Sequence, residues 1–194
     1  MKAMIKLIAI ITMLIDHIGF AFFPDMLILR IIGRIALPLF ALELARGRRR
    51  TRSIEKYLAR LLLLAILSQV PYMLFFDTTD LNIVFTLFVS LLMLIALDKK
   101  NYIAAAGLFL LTVIFPFEYG YYGPLTVFLV DKIDLQDWKF TIAYIILNIF
   151  SGLQGFALLA YPLFWVRDKK ILPGWLAYGF YPGHLLVLNF LLHK

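Results

Sequence analysis

Four ionisable residues lie within the first two apolar stretches of this chain. Asp16 and His17 are neighbours in the stretch 4–23, and Arg30 and Arg34 follow in the stretch 26–45. Ionisable groups in hydrocarbon are costly and are usually retained for a pathway or a reaction. A histidine can accept a proton from a nucleophile, and an arginine can stabilise a developing oxyanion. These residue types therefore indicate proton transfer coupled to stabilisation of negative charge.

Helix geometry separates the roles of Asp16 and His17. Successive residues of an α-helix point about 100° apart, so Asp16 is poorly placed to orient His17. Arg30 and Arg34 are four residues apart and share one helix face. We therefore expect Asp16 to pair with Arg30 or Arg34 across a helix interface. The alternative is a buried salt bridge that only locks two helices, which would be weak evidence for stability.

The composition places the chain in a lipid bilayer. It has 194 residues, 63% of them hydrophobic, and a mean hydropathy of +0.90. Soluble domains are only about half apolar. We predict an all-α, polytopic integral membrane helical bundle that forms a single domain over residues 1–194, with no linker.

The composition also excludes several kinds of chemistry. The chain has no cysteine, which excludes disulfides, thiolate metal sites and a cysteine nucleophile. The histidines and acids show no metal-ligand spacing, so no metal is expected. The net charge of +7 lies in short loops between apolar segments, which favours control of topology over binding of nucleic acid.

Polar breaks divide the chain into about nine apolar segments. A spanning helix needs about 20 residues, and segments six to eight are shorter, so we expect eight or nine helices. The predicted segments are 4–23, 26–45, 57–76, 81–97, 101–117, 119–130, 139–150, 154–166 and 172–192.

The positive charges predict the orientation of these segments. Lysine and arginine occur before or between segments at 2–6, 46–60, 98–100, 131–139 and 167–170, whereas the intervening breaks at 24–25, 77–82, 118–123 and 151–155 have none. Because cytoplasmic loops carry the excess of basic residues, the N-terminus is predicted to be cytoplasmic.

This orientation brings the polar residues to one depth. At about 1.5 Å per residue, His17 lies about 9 Å, and Arg34 and His184 about 12 Å, below the outer ends of their segments. Other polar residues map to the same outer half, so we predict one polar cluster there. Its candidate substrate-binding residues are His184, Tyr181, Glu118, Tyr122, Asn82 and Gln69.

The last segment contains a histidine beside two residues that disfavour helices. Pro182 and Gly183 directly precede His184. We expect them to interrupt the helix and to form a non-helical patch that lines a cavity.

The densest positive charge lies between the second and third segments. One interpretation is topology control together with contact to anionic lipid. The other is a cytoplasmic docking site for a polyphosphate ligand, formed by Arg46, Arg48, Arg49, Arg50 and Arg52.

The order and spacing of several motifs resemble the TraX family along nearly all of the chain. The first is LIAIITMLIDHIG (7–19), and the others are RIIGRIALPLFAL (30–42), YLARLLLLAILSQVP (57–71), LNIVFTL (81–87), EYGYYG (118–123) and FYPGHLL (180–186). The resemblance implies a multi-pass protein of the bacterial cytoplasmic (inner) membrane. TraX proteins acetylate the N-terminal alanine of F-type pilin with acetyl-CoA as donor, and they are similar to the broader transmembrane acyltransferases. The resemblance further implies that His17 is the catalytic histidine and that Asp16, Arg30 and Arg34 support it. His184 is a further member of this supporting set.

The resemblance and the residues together give a mechanistic hypothesis. An acetyl group passes from cytoplasmic acetyl-CoA to an amine, such as a pilin or peptide N-terminus, or to another small amine or hydroxyl acceptor near the outer face. His17 accepts the proton, and Arg34 or Arg30 stabilises the oxyanion. Asp16 holds an arginine or sets the protonation state of His184. Direct transfer and a covalent acetyl-histidine relay both stay open.

Two other classes of function use the same residues differently. In a small transporter or flippase, Asp16, His17, Arg30 and Arg34 would form a proton or anion relay. In a structural membrane component, the charges would pair off completely and leave no cavity.

Overall fold

Helices make up the architecture of the residues that the structure describes. The computed structural model describes residues 4–133, 138–166 and 174–194, with side chains of the last range from residue 179 onward. Every element in these ranges is helical, which confirms the predicted all-α class. The elements are α1 (Met4–Phe22), α2 (Leu27–Gly33), α3 (Ala36–Arg50), α4 (Ile54–Phe76), α5 (Ile83–Asp98), α6 (Tyr102–Ile114), α7 (Tyr122–Lys132), α8 (Trp138–Ile149), a 3₁₀ helix (Gly152–Trp165) and α9 (Gly174–Leu192).

The second predicted segment is two helices rather than one. The N–H of Arg34 donates to the carbonyl of Ile31 at 3.1 Å, a three-residue spacing that tightens the chain between α2 and α3. Pro38 lacks the N–H that would bond the Arg34 carbonyl, and its ring crowds that carbonyl. The break therefore follows from Pro38, and it places Arg34 at a turn rather than inside a regular helix.

The predicted interruption of the last segment is wrong. Helix α9 continues through Pro182 and Gly183 to Leu192. Helix α4 likewise contains Pro71. Proline is tolerated inside apolar helices when neighbouring groups take up the freed backbone positions. Leu185 and Leu188, which follow the proline in α9, are buried on one side of the helix.

Two helices of the described ranges, α1 and α4, are long and apolar enough to cross a membrane. Helix α4 exposes Leu63, Ile66, Leu67, Val70 and Leu74 along one face. The shorter apolar helices are Ile83–Asp98, Tyr102–Ile114, Trp138–Ile149 and Gly179–Leu192.

The eighth predicted segment is a 3₁₀ helix instead of an α-helix. It has 14 residues and contains Pro162. A 3₁₀ helix rises about 2.0 Å per residue, so this segment reaches about 28 Å although it has few residues. Its length is therefore close to the hydrocarbon thickness of about 30 Å that a spanning segment requires.

The C-terminal ends of α3, α5 and α7 meet in an ion-pair network. Arg48 bonds Asp131 at 3.0 Å and also pairs with Asp98, and Arg49 bonds Asp131 at 2.7 Å. The carboxylate of Asp131 is almost fully buried beneath these arginines. Arg48 of α3 therefore ties α5 and α7 to its own helix, at the end of the bundle remote from the α2–α3 turn.

The loop 115–121 is fixed to the start of α5 at the opposite end. The N–H of Leu81 donates to the carbonyl of Pro116, and the N–H of Glu118 donates to the carbonyl of Leu81, both at 2.8 Å. The hydroxyl of Thr86 donates to the Glu118 carbonyl at 2.7 Å. These bonds hold Glu118 and its neighbours at a defined position above α5.

Close approach of α1 and α2 predicts a selective effect of alanine at two glycines. A Cβ at Gly33 would overlap the side chain of Asp16, whereas a Cβ at Gly107 in α6 would meet open space. We expect Gly33→Ala to lower the free energy of unfolding by about 1–3 kcal/mol through overpacking. We expect Gly107→Ala to leave it unchanged or raise it, because alanine is favoured in helices.

Thermal unfolding of the two purified variants beside the native chain measures this difference. A Gly33→Ala protein as stable as the Gly107→Ala protein would contradict the close packing of α1 on α2.

Candidate active site

Asp16 is the buried centre of a charge cluster. Both of its carboxylate oxygens accept from Nη2 of Arg34, at 2.7 and 2.9 Å. Nη1 of Arg30 lies 3.1 Å from Oδ2 of Asp16 and also donates to the Asp16 carbonyl at 3.3 Å. The structure confirms that Asp16 pairs with arginines of the next segment, and it pairs with both.

Arg34 connects this cluster to two further parts of the chain. Its Nε donates to the Arg30 carbonyl at 3.1 Å, and its Nη1 donates to the Tyr119 hydroxyl at 3.4 Å. Arg34 is only 6% exposed, and its donors are directed to groups of the protein. This arrangement suits Arg34 for positioning Asp16 and Tyr119 better than for contacting a substrate oxygen.

His17 and His184 are joined by a direct hydrogen bond between α1 and α9. Nδ1 of His17 lies 2.8 Å from Nε2 of His184. The ring planes differ by 8° and the centroids are 5.0 Å apart, so the rings meet edge to edge. The predicted convergence of these two histidines, 167 residues apart, is therefore confirmed.

The hydrogen bonds around His184 determine which nitrogen of each ring holds a proton. Nδ1 of His184 lies 2.8 Å from the carbonyl oxygen of Phe180, which can only accept. Nδ1 of a neutral His184 must therefore carry the proton, and its Nε2 accepts the Nδ1–H of His17. A neutral His17 then has a free lone pair at Nε2, which suits it to act as a base.

Aromatic rings surround the histidine pair. Phe75 and Phe76 lie 5.8 and 5.3 Å from the ring of His17, and Phe180 stacks on His184 at 4.8 Å. These rings limit access of water to the two imidazoles. A water-poor environment strengthens electrostatic interactions at the site.

Two adjoining cavities meet near His17. The smaller, of about 30 Å³, is lined by Asp16, His17, Glu118, Tyr119 and Tyr181, together with apolar side chains. The larger, of about 270 Å³, is mostly apolar and extends to Lys6, Glu43, Gly47 and Tyr57. Both cavities are lined by Met13, Phe40, Ile83 and Tyr181. An extended ligand could therefore reach His17 from the end of the bundle where α1 begins.

Glu118 faces the smaller cavity from the loop 115–121. Its Oε2 accepts the N–H of Ile83 at 2.8 Å. Burial raises the pKa of the Glu118 carboxyl to about 7, although the Ile83 N–H favours the charged form. Glu118 therefore changes its protonation state near neutral pH.

Tyr119 belongs to the site although it was not among the predicted site residues. It has a left-handed φ of 65° and is followed by Gly120 with a φ of 45°. A bulky residue rarely adopts this conformation, which is costly and is often found at functional sites. In the sequence, the only signal for Tyr119 is the dipeptide Tyr119–Gly120. Taken alone, that dipeptide indicates an aromatic residue at the membrane interface and not a site residue.

Three predicted substrate-binding residues lie away from the two cavities. Asn82 caps α5 by accepting the N–H of Val84, and it bonds Gln69 at 2.9 Å. Gln69 also donates to the Asp80 carbonyl, so both side chains fix the α4–α5 connection. The hydroxyl of Tyr122 donates to Asn148. Their geometry is that of structural hydrogen bonds, and their role toward a substrate stays a prediction.

The predicted phosphate-docking arginines divide into two groups. Arg46 donates to the carbonyls of Phe164 and Val166, and Arg48 and Arg49 bond Asp131. Arg50 and Arg52 are exposed at the surface between α3 and α4. Of the other basic segments between predicted helices, 167–170 lies outside the described residues.

No group of three histidine, cysteine or acidic residues that could hold a metal ion occurs in the part of the chain that the structure describes.

Comparison with known proteins identifies the family. The family model described as TraX protein matches residues 1–192. The chain belongs to the TraX family. This match confirms the resemblance carried by the motifs around Asp16–His17, Arg30–Arg34 and His184.

Two curated relatives match parts of this TraX chain. One, from Dichelobacter nodosus, is named probable fimbrial assembly protein FimC, serogroup H1, and is 37% identical over 106 residues, covering 46% of this chain and 43% of the relative. The other is uncharacterized protein RP591 of Rickettsia prowazekii (strain Madrid E), 54% identical over 37 residues, covering 19% of this chain and 15% of the relative. The chain thus spans less than half the length of either relative. No solved structure matches it.

The Asp16 cluster predicts a large and specific loss of stability. Asp16→Asn leaves Arg30 and Arg34 without their buried anion, so we expect the free energy of unfolding to fall by about 3–5 kcal/mol. Asp25→Asn, at an exposed loop position, is the matched control. It should change stability by no more than about 0.5 kcal/mol.

Denaturant or thermal unfolding of the two purified variants gives the comparison. Equal stability of Asp16→Asn and Asp25→Asn would show that the buried ion pairs do not hold α1 to the α2–α3 turn.

Proposed function

We propose that this TraX protein is a membrane-embedded acetyltransferase that moves an acetyl group from acetyl-CoA to an amine. The observation that carries the proposal is the hydrogen bond from His17 to His184, which leaves a base at Nε2 of His17. This base lines the small cavity, beside the larger apolar cavity. A positioned base with an apolar approach for a thioester arm is what acyl transfer needs.

The proposed location is the bacterial cytoplasmic membrane, crossed several times with the N-terminus in the cytoplasm. The apolar lengths of α1 and α4 support this location, as does the outward apolar face of α4. The charge pattern of the loops supports the orientation. In this orientation the large cavity begins at the cytoplasmic side and the loop 115–121 lies at the outer side.

The proposed donor route follows the large cavity. Acetyl-CoA approaches from the cytoplasm, and its acetyl end passes along the wall formed by Met13, Phe40 and Tyr181. Lys6 lines the cytoplasmic end of this cavity, and Arg50 and Arg52 are exposed on the same side in the proposed orientation. These three cations are the proposed phosphate contacts, since Arg46, Arg48 and Arg49 bond groups within the chain.

The proposed chemistry assigns one task to each group. Nε2 of His17 accepts a proton from the acceptor nitrogen as that nitrogen attacks the thioester carbonyl. The bond to His184 keeps the His17 ring in orientation and spreads the charge that it gains. The Tyr119 hydroxyl, which accepts from Arg34 and lines the smaller cavity, is the proposed donor to the oxyanion. Arg30 and Arg34 supply the positive field around that oxyanion.

The proposed acceptor is a pilin-like or other peptide N-terminus at the outer face. A relative of this chain is named as a probable fimbrial assembly protein, which supports an acceptor among pilus or fimbrial subunits. The polar end of the smaller cavity, formed by Glu118 and Tyr119, is the proposed entrance for the amine.

The assignment of His17 predicts a large loss of acetyl transfer in one variant. His17→Ala in proteoliposomes should reduce transfer from radiolabelled acetyl-CoA to a peptide amine by about 100-fold or more, because general-base catalysis is removed. His193→Ala is the matched control, since His193 is exposed near the end of α9. It should transfer acetyl at the native rate.

Full activity of His17→Ala would overturn the assignment of the base. If the native protein neither binds nor consumes acetyl-CoA, the site belongs to a transporter or a structural component instead.

A further inference from the structure

An acceptor that enters the site as an ammonium ion imposes a proton balance that one histidine cannot meet. A primary amine in water near neutral pH is mostly an ammonium ion, because a peptide N-terminus has a pKa of about 8. The nitrogen of that ion must lose one proton before it can attack and a second proton as the amide forms. A neutral amine or a hydroxyl loses only one proton. His17 can accept one proton in each reaction, so the ammonium form, which is the abundant one, reacts only with a second base.

Two carboxylates line the smaller cavity, and only one is available as a base. Both oxygens of Asp16 are bonded by Arg34, and Oδ2 is also bonded by Arg30. Protonation of Asp16 would leave two buried cations uncompensated. Oε2 of Glu118 accepts the backbone N–H of Ile83, and the side chain of Tyr72 in α4 also hydrogen-bonds the carboxylate. In the described ranges this carboxylate forms no ion pair with an arginine or lysine. Glu118 is therefore the carboxylate that can accept a proton.

Glu118 is held in place for this role. Its own N–H and carbonyl are bonded to Leu81 and Thr86, and its carboxylate is bonded to Ile83. All three partners lie at or just before the start of α5. Because backbone and side chain are both anchored, Glu118 faces the cavity in one orientation. It is half-buried at the outer end of the bundle, so a proton can leave it toward water.

We infer that Glu118 is a second base of this site, which accepts the first proton of an acceptor that enters the cavity as an ammonium ion. This inference rests on the proposed acetyltransferase function. It assigns a proton-accepting role to a residue of the loop 115–121 that the proposed function uses only as part of the entrance for the amine.

Glu118 accepts a proton from the ammonium, which gives a neutral amine and a carboxylic acid. The amine nitrogen attacks the thioester carbonyl, and Nε2 of His17 accepts the second proton as the C–N bond forms. The C–S bond breaks, and the leaving thiolate takes the proton from His17. Glu118 then releases its proton to water, so each turnover yields one amide, one thiol and one proton.

The acidity of Glu118 suits a peptide N-terminus. A carboxyl with a pKa of about 7 lies within about one unit of an α-amine, so proton transfer is nearly balanced. A lysine side chain, at about 10.4, would hold its proton more than a thousand times more strongly than Glu118. The groups that act on Glu118 from the surrounding elements are Asp16, Arg34, Tyr72, Asp80, Tyr119 and Tyr181.

The test compares two acceptors with the variant Glu118→Gln. Glutamine keeps an oxygen for the Ile83 N–H but cannot accept a proton. One acceptor is a short lysine-free peptide with a free N-terminus, and the other is aniline, which is already neutral at pH 6.5. We expect Glu118→Gln to lower kcat/KM for the peptide by about tenfold or more at pH 6.5. We expect kcat/KM for aniline to change by less than about threefold.

The pH profile gives a second readout. In the native protein, kcat/KM for the peptide should rise with pH through about 7, as Glu118 becomes a carboxylate. In Glu118→Gln the rise should move to about 8, the pKa of the peptide amine itself. Glu55→Gln, at an exposed position at the start of α4, is the matched control and should leave both acceptors and the profile unchanged.

The outcomes separate the two proposals. Equal losses for peptide and aniline in Glu118→Gln, or no loss for either, would overturn the role of Glu118 as a second base, while His17-dependent transfer by the native protein would still support the acetyltransferase. If native protein acetylates neither acceptor, or if His17→Ala acetylates both at the native rate, the proposed function fails and this inference fails with it.

Discussion

The buried carboxylate of Asp16, bonded by Arg30 and Arg34, is the interaction on which the rest of the site depends. An unpaired carboxylate or guanidinium in these apolar surroundings would be very costly, so the three groups must meet. Their meeting fixes α1 against the α2–α3 turn, at the point where Gly33 permits close contact. Arg34 extends this cluster to Tyr119, and Tyr119 lies in the loop that carries Glu118. One acid therefore positions three separate parts of the chain around a single small cavity.

The same geometry directs His17 away from these charges. Because it follows Asp16 by one residue, its side chain points to another side of α1, where α9 presents His184. The result is a division of the site into a charged part and an imidazole part. The long apolar cavity approaches from one end and the polar loop 115–121 closes the other. In the proposed function, a thioester from the cytoplasm and an amine from outside meet at Nε2 of His17 between them.

The sequence predicted the helical class and the meeting of Asp16, Arg30 and Arg34 because costly groups in apolar helices have few ways to be compensated. It also predicted that His17 and His184 share a depth, although their direct bond depends on how α1 packs on α9.

Other features depend on tertiary packing that local patterns do not encode. Pro38 causes the break between α2 and α3, whereas α4 and α9 continue through Pro71 and Pro182. Gln69 and Asn82 are polar residues at the expected depth, yet they bond each other and the backbone. Arg46, Arg48 and Arg49 bond partners in distant segments, whereas the sequence left topology control with lipid contact and phosphate docking both open.

His184 forces the proton of neutral His17 onto Nδ1 and leaves Nε2 unprotonated. Nitrogen-15 NMR of histidine-labelled protein, assigned with His17→Ala and His184→Ala, measures this directly. Both neutral rings should carry their proton on Nδ1, with a scalar coupling across the hydrogen bond from His17 Nδ1 to His184 Nε2. A neutral His17 with its proton on Nε2, or the absence of coupling between the two rings, would contradict this assignment.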